Sequence, residues 1–396
     1  GGAVLDTDGY DITIAQALRH APGATASPLT KRGSGNLTLT GANTFTGPVT
    51  VNSGTLTLAG TAPLSAASLS SAITNDGDFV FASNTDQTLS GTVSGSGTLT
   101  KTGSGTLTLA GPTSYSGGTA IQAGKLAVMS GGNLDNSAVT LEAGTTLGLQ
   151  IFSNGGQWSC KSLSLASGTI TVDFRFRGVS PSEATAPLLV NGDLVNNAVL
   201  NVTVGGAAVA TGTYPLIRYT GERTGNGSPG SVTLPNGGAG TLVDNSANKT
   251  IDLSVTTAAA PLVWSGDSGD WDIGLTTNWT GFRTTYLEGD LVLFDDTSSG
   301  TAPFTVTLPA SVNPNTVLFN NATKAYTITG PGALSGEAGI HKKGAAALIL
   351  EVPNTSSGGL TLDSGAGTVT ATIAAAQDGL GSGPVALGAG STLLLD

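Results

Sequence analysis

The chain has 396 residues, a formal net charge of −11 and only 10% charged residues, against roughly a quarter in an average globular protein. Phosphate binding needs basic patches, and the densest clusters here are the pairs Lys31-Arg32 and Lys342-Lys343, so no nucleic-acid partner is expected. Hydrophobic residues make up 39% and aromatics 5%. That excludes a disordered chain and also a conventional core of large side chains packed between helices and sheets.

The first motif is Asp6-Thr7-Asp8-Gly9-Tyr10-Asp11. Asp6, Asp8 and Asp11 have the opening of a calcium loop, but no Glu follows at the twelfth position. A turn at Asp8-Gly9 is the simpler reading, so no metal and no other cofactor is expected. Ile12 to His20 is the best helical stretch, and Pro22 and Gly23 end it.

Repeats follow. Residues 31–60 (KRGSGNLTLTGANTFTGPVTVNSGTLTLAG) align with 101–128 (KTGSGTLTLAGPTSYSGGTAIQAGKLAV). Lys31 matches Lys101, Gly33 and Gly35 match Gly103 and Gly105, and Phe45 matches Tyr115. A worn third copy at 342–370 keeps Lys343-Gly344, Leu348-Ile349-Leu350 and Gly358-Gly359 but lacks the aromatic. A second type pairs AVTLEAGTTLGL at 138–149 with PVALGAGSTLLL at 384–395. In all of them three- to five-residue strands alternate apolar and polar with period 2, and Gly, Asn, Asp and Ser punctuate them.

Units of this length with tight Gly corners, and Thr, Ser and Asn recurring at equivalent places, favour a solenoid over a sandwich or propeller. The expected fold is all-β: a right-handed parallel β-helix with Gly-rich corners and a less regular β middle segment. Its boundaries are a β-helix over 1–157, an irregular β segment with longer coils over 158–260, and a second β-helical module over 261–396. The last opens with a Trp-rich joint after the linker Thr256 to Pro261. Continuous stacking of coils of about 20 residues implies a rod of roughly 90 Å.

Residues 31–56 and 101–126, and in weakened form 343–369, resemble the autotransporter-associated β-strand repeat, also called the passenger-associated transport repeat. The stretch Trp264, Gly266, Gly269, Trp271, Asp272, Asn278 and Trp279 looks like segments found between such repeats in large bacterial surface proteins. The resemblance implies a secreted β-helical passenger at the cell surface, with an adhesive, matrix or structural role. A translocator barrel is not read in this chain, and no run of about 20 apolar residues predicts a membrane-spanning helix.

Other candidate sites have bland readings beside them. Asp267, Asp270 and Asp272 with Glu288, Asp290, Asp295 and Asp296 could supply a glycosidase pair or a weak cation site, but they fall in Gly-rich turns where Asp bonds backbone. Trp264, Trp271 and Trp279 could stack on sugars, or could pack a module joint. Cys160 is the sole cysteine, so no intrachain disulfide forms. His20 and His341 have no triad around them. The leading expectation is a structural extracellular segment, not an enzyme. Neither end shows a cap, so self-association end to end is expected. The rivals are an adhesin binding surface glycans and a polysaccharide-acting enzyme.

Overall fold

The structure, a computed structural model, describes residues 2–19, 26–60, 68–129, 132–177, 179–371, 380–381 and 383–396. Period-2 alternation decides which side chains enter the core. In Asn36–Leu39 the two leucines are buried and Thr38 is half-buried, and Val49–Val51, Leu107–Leu109 and Leu360–Leu362 repeat the pattern. A three-residue strand cannot hold itself, so each pairs with the equivalent strand one coil away.

The pairing forms three parallel ladders in the first part of the chain. One joins Ala3, Leu29, Val49, Ile73 and Val93. A second joins Ile12, Leu37, Leu56, Phe79, Leu99, Thr119, Val139, Leu163 and Leu194. A third joins Leu69, Leu89, Leu109, Val128, Leu149, Phe174 and Val204. Most steps are 19 to 25 residues, and Leu163 to Leu194 is the longest in the second ladder. The arrangement is all-β and dominated by parallel sheets, consistent with stacked coils. The described residues contain no helix, and Ile12–Ile14, inside the best helical stretch, is a strand paired with Asn36–Leu39. His20 lies outside the described residues.

Among the described residues the chain departs from parallel pairing where the first stack ends and, in one short pair, where the second begins. Thr250–Thr257 runs antiparallel to both Gly212–Tyr219 and Ala239–Asn245. These strands end the first stack, whose core runs to Ala259. A second core starts at Leu262 and holds a separate stack. Its ladders join Leu262, Val292, Val317, Ile340, Leu360 and Val385 on one face, and Phe304, Tyr326, Leu348, Val369 and Leu393 on another.

The second stack does not continue the first as a single rod. It folds back alongside it. Near the joint, Asn236 Nδ2 donates to the Leu291 carbonyl and Gly206 N to Asn315 Oδ1. Further along the second stack, Glu337 meets Lys125 and Arg175. Residues 355–357 and 383–384 then face 86–110 across a groove. Rising numbers in one stack thus meet falling numbers in the other. The 90 Å rod fails because antiparallel strands close the first ladder at the joint.

The repeat lysines explain the corners. Lys31, Lys101 and Lys342 are all fully buried at 0% exposure. Lys31 Nζ donates to the carbonyls of Arg32, Gly33 and Ser53, and Lys101 Nζ to those of Gly103 and Ala123. Each ammonium therefore ties its own corner to the next coil. Lys101 also sits 5.5 Å over the Phe81 ring, a favourable cation–π placement. In the third copy Lys342, not Lys343, donates to the Gly344 carbonyl. The alignment on Lys343 is thereby corrected: Lys342 precedes Leu348 by six residues, as Lys31 precedes Leu37. A Cβ on Gly103 would collide with the Ser83 carbonyl of the coil beneath, which is why that corner takes glycine.

The repeat is not in phase with the coil. Lys31 lies in the first ladder, opposite Leu5 and Val51, whereas Lys101 lies in the second, between Phe81 and Ile121. The same corner unit is used on two different faces.

Burial brings Lys101 and Lys342 down to about 8, with Asp86 and Asp296 respectively opposing the shift; an unfolded lysine sits near ~10.4. Between those values the unfolded chain binds more protons, so stability rises with pH. The urea midpoint is expected to increase from about pH 8 to about 9, less steeply than the lysines alone would give, because the buried Cys160 thiol opposes them and unfolded tyrosines are half ionised at ~10. Lys101→Met should flatten this slope and lower stability at neutral pH by about 1–3 kcal/mol, since two corner carbonyls lose their donor. A midpoint that falls across the window would contradict the assignment.

Candidate functional site

Asp6, Asp8 and Asp11 serve a turn. Asp6 Oδ1 accepts from Asp8 N at 3.0 Å, Asp8 has φ 45°, and Asp11 Oδ1 accepts from Asn36 N at 2.8 Å. Among the described residues no three His, Cys, Asp or Glu side chains are grouped to hold a metal.

Trp264, Trp271 and Trp279 are 0%, 0% and 1% exposed. Trp264 and Trp279 meet edge to face at 5.1 Å, and Trp271 packs likewise on Trp279 and Tyr286, both at 5.5 Å. Phe294 joins the cluster and stacks on Phe319 of the next coil at 4.8 Å. The reading of these three indoles as a sugar platform is corrected: they have no free face. They close the start of the second stack, where Trp279–Thr280 runs antiparallel to Leu262–Trp264.

The neighbouring carboxylates are engaged in turns. Asp272 Oδ1 accepts from Thr276 N, and Glu288 Oε2 from Asn313 N and Tyr286 Oη. Asp290 Oδ2 accepts from Leu287 N while Oδ1 pairs with Arg283. Asp296 accepts from the amides of Ala322, Thr323 and Lys324. Cys160 is a core residue between Leu134 and Val190, its thiol pushed up to about 12 by burial and by Asp135. His341 Nε2 meets Asp363 Oδ1 at 2.6 Å. Burial lowers its pKa further than Asp363 raises it, so the ring is neutral near pH 7.

The site that sequence patterns did not expose lies between the stacks. Lys125 Nζ meets Asp173 Oδ2 at 2.9 Å and Glu337 Oε1 at 2.8 Å, and Arg175 bonds both carboxylates. Arg177 Nη1 donates to the Glu337 carbonyl at 2.8 Å. Arg177 is 5% exposed and its Nη2 has no partner; burial and the adjacent Arg175 bring it down to about 10. Burial pushes the Asp173 and Glu337 carboxyls up, but Arg175 and Lys125 together outweigh it and hold both below the ordinary range. Lys125 reaches past Gly148, where a Cβ would crowd its Cε. Residues from sequence-distant coils make this network, so no local motif signals it.

Beside the network runs a groove of about 580 Å³. Thr88, Thr106, Thr108 and Gln150 line it from the first stack, and Glu337, Thr355 and Ser357 from the second. Asp86 Oδ1, at the far wall, is bonded to Thr106 N at 2.7 Å.

Residues 29–58 and 99–128 match the protein family described as Passenger-associated-transport-repeat. The chain therefore carries two copies of that repeat, and both copies contain the buried corner lysine. No curated protein and no solved structure matches the chain. No helix among the described residues is long and apolar enough to cross a membrane.

Glu337 is the second stack's contribution to the ionic network. Its side chain is 36% exposed, so solvent screening limits each pair to about 1 kcal/mol. Glu337→Gln is expected to speed amide exchange at 336–340 and 125–129 while leaving 36–39 and 55–58 unchanged. Both carboxyls are depressed, so the same segments should loosen in the wild type as pH falls below about 4. Uniform exchange across all four segments would refute a local latch.

Proposed function

We propose that this chain is a structural segment of a secreted autotransporter-type passenger at the cell surface, wound as a right-handed β-helix and acting without catalysis or cofactor. The observation that carries the reading is the two transport repeats seated in uninterrupted parallel ladders. Their lysines join corner to corner and their glycines set the distance between coils. Such a body resists local opening because each coil is bonded above and below. The carboxylates around the Trp segment support a non-catalytic role, since backbone amides or Arg283 engage Asp272, Glu288, Asp290 and Asp296. The parallel repeat pattern and the acidic balance suit an extracellular rather than a nucleic-acid-binding protein.

Self-association end to end belongs to the same reading, at one pole only. At the joint, antiparallel strands and the Trp cluster close both stacks. At the other pole Val385–Leu387 and Thr392–Leu395 pair on one side only. Leu387, Leu394 and Leu395 are 58%, 50% and 59% exposed there. An edge of this kind pairs with the next strand offered to it, whether from the same chain or from a second copy. Electron microscopy and light scattering at rising concentration should show dimers joined at that pole. A Leu387→Lys, Leu394→Lys double variant should be monomeric with unchanged circular dichroism. A wild type that stays monomeric at every concentration would sink the end-to-end reading.

A further inference from the structure

The groove between the stacks is lined by hydroxyls set among apolar side chains. Thr88 and Thr108 occupy equivalent outward positions in adjacent coils of the third ladder, one strand spacing of about 4.8 Å apart. Thr106 lies beside them, and Thr355 and Ser357 face them from the second stack. Gln150 closes one end, its Oε1 accepting from Arg177 Nε at 3.3 Å. The volume of about 580 Å³ falls within the ~300–1,000 Å³ of small-molecule sites.

The chemistry of the walls selects the occupant. Strand addition by a peptide requires an open edge, and Leu107–Leu109 is paired on both sides. Phosphate-rich ligands need cations on the wall, and the lining holds none, only the carboxylates Asp86 and Glu337. A lipid needs a continuous apolar wall, whereas hydroxyls interrupt Ala110, Ala127, Met129 and Pro384 here. What fits is a hydroxyl-rich, uncharged chain that exchanges donors and acceptors with a row of hydroxyls repeating at one coil spacing.

We propose that the inter-stack groove is a binding site for a short linear neutral oligosaccharide, held by Thr88, Thr108, Gln150, Thr355 and Ser357. This goes beyond the structural role and fails separately from it, since the stacks and their pole contacts do not need the ligand. It also moves glycan recognition away from the tryptophans, which are buried.

The test uses the full chain and fluorescein-labelled linear gluco-oligosaccharides with β-1,4, β-1,3 or α-1,6 linkages, read by anisotropy. At least one probe should bind. Thr108→Arg, which fills the groove from the first stack, should weaken it by at least ~10-fold. Ser357→Arg, filling it from the second stack, should do the same and guards against misfolding of the first variant. Thr140→Arg, outward on the neighbouring ladder, should leave binding unchanged. No binding of any probe to the wild type would overturn the proposal. So would binding that survives both groove substitutions while melting temperatures stay unchanged.

Discussion

Everything in this molecule depends on the step between one coil and the next. Parallel main-chain bonding fixes that step at one strand spacing, about 4.8 Å, so each inward side chain rests on the inward side chain of the coil below. Leu39, Leu58, Phe81, Lys101 and Ile121 form one such column. A column tolerates changes of size along it but not a change of period. Alternation with period 2 therefore runs through strands whose composition otherwise varies. Corners must also turn within that step, which leaves no room for a side chain against the carbonyl beneath. The buried ammonium of the repeat is the other half of the same solution. It gathers corner carbonyls that lie beyond the ends of the paired strands.

The second constraint acts sideways. Two stacks can lie together only where their corners are small and their charges are answered. Gly148 lets Lys125 cross to Asp173, and Gly339 admits the Arg177 side chain. Around Glu337 three cations meet two carboxylates. The network is partly open to solvent, so it orients the stacks more than it binds them. Most cohesion stays inside each stack, since the two hydrophobic cores are separate clusters.

Local pattern carried the strands, the Gly corners and the repeats at 31–60 and 101–128, because period 2 and tight turns are written within a few residues. The Trp segment was legible as hydrophobic mass, and its burial follows from having to close a ladder with no strand beneath it. The return of the second stack was not legible. It rests on Glu337 meeting Lys125, over 200 residues apart, and no period encodes such a pair. The third repeat misled for a related reason. Lys342 and Lys343 are adjacent, and only spacing to the leucine strand separates the buried lysine from its neighbour.

The rotation of the repeat between faces bears on how such chains change length. Lys31 and Lys101 perform one task on two different ladders, so the sequence is read by corner, not by whole turn. A duplicated segment then need not contain a whole number of coils to be accommodated. It can enter a third of a turn out of phase and still find a corner below it with the right carbonyls. Long arrays can thus grow or shrink by unequal copying without a frame to preserve, while the residues that face outward shift from one side of the body to another.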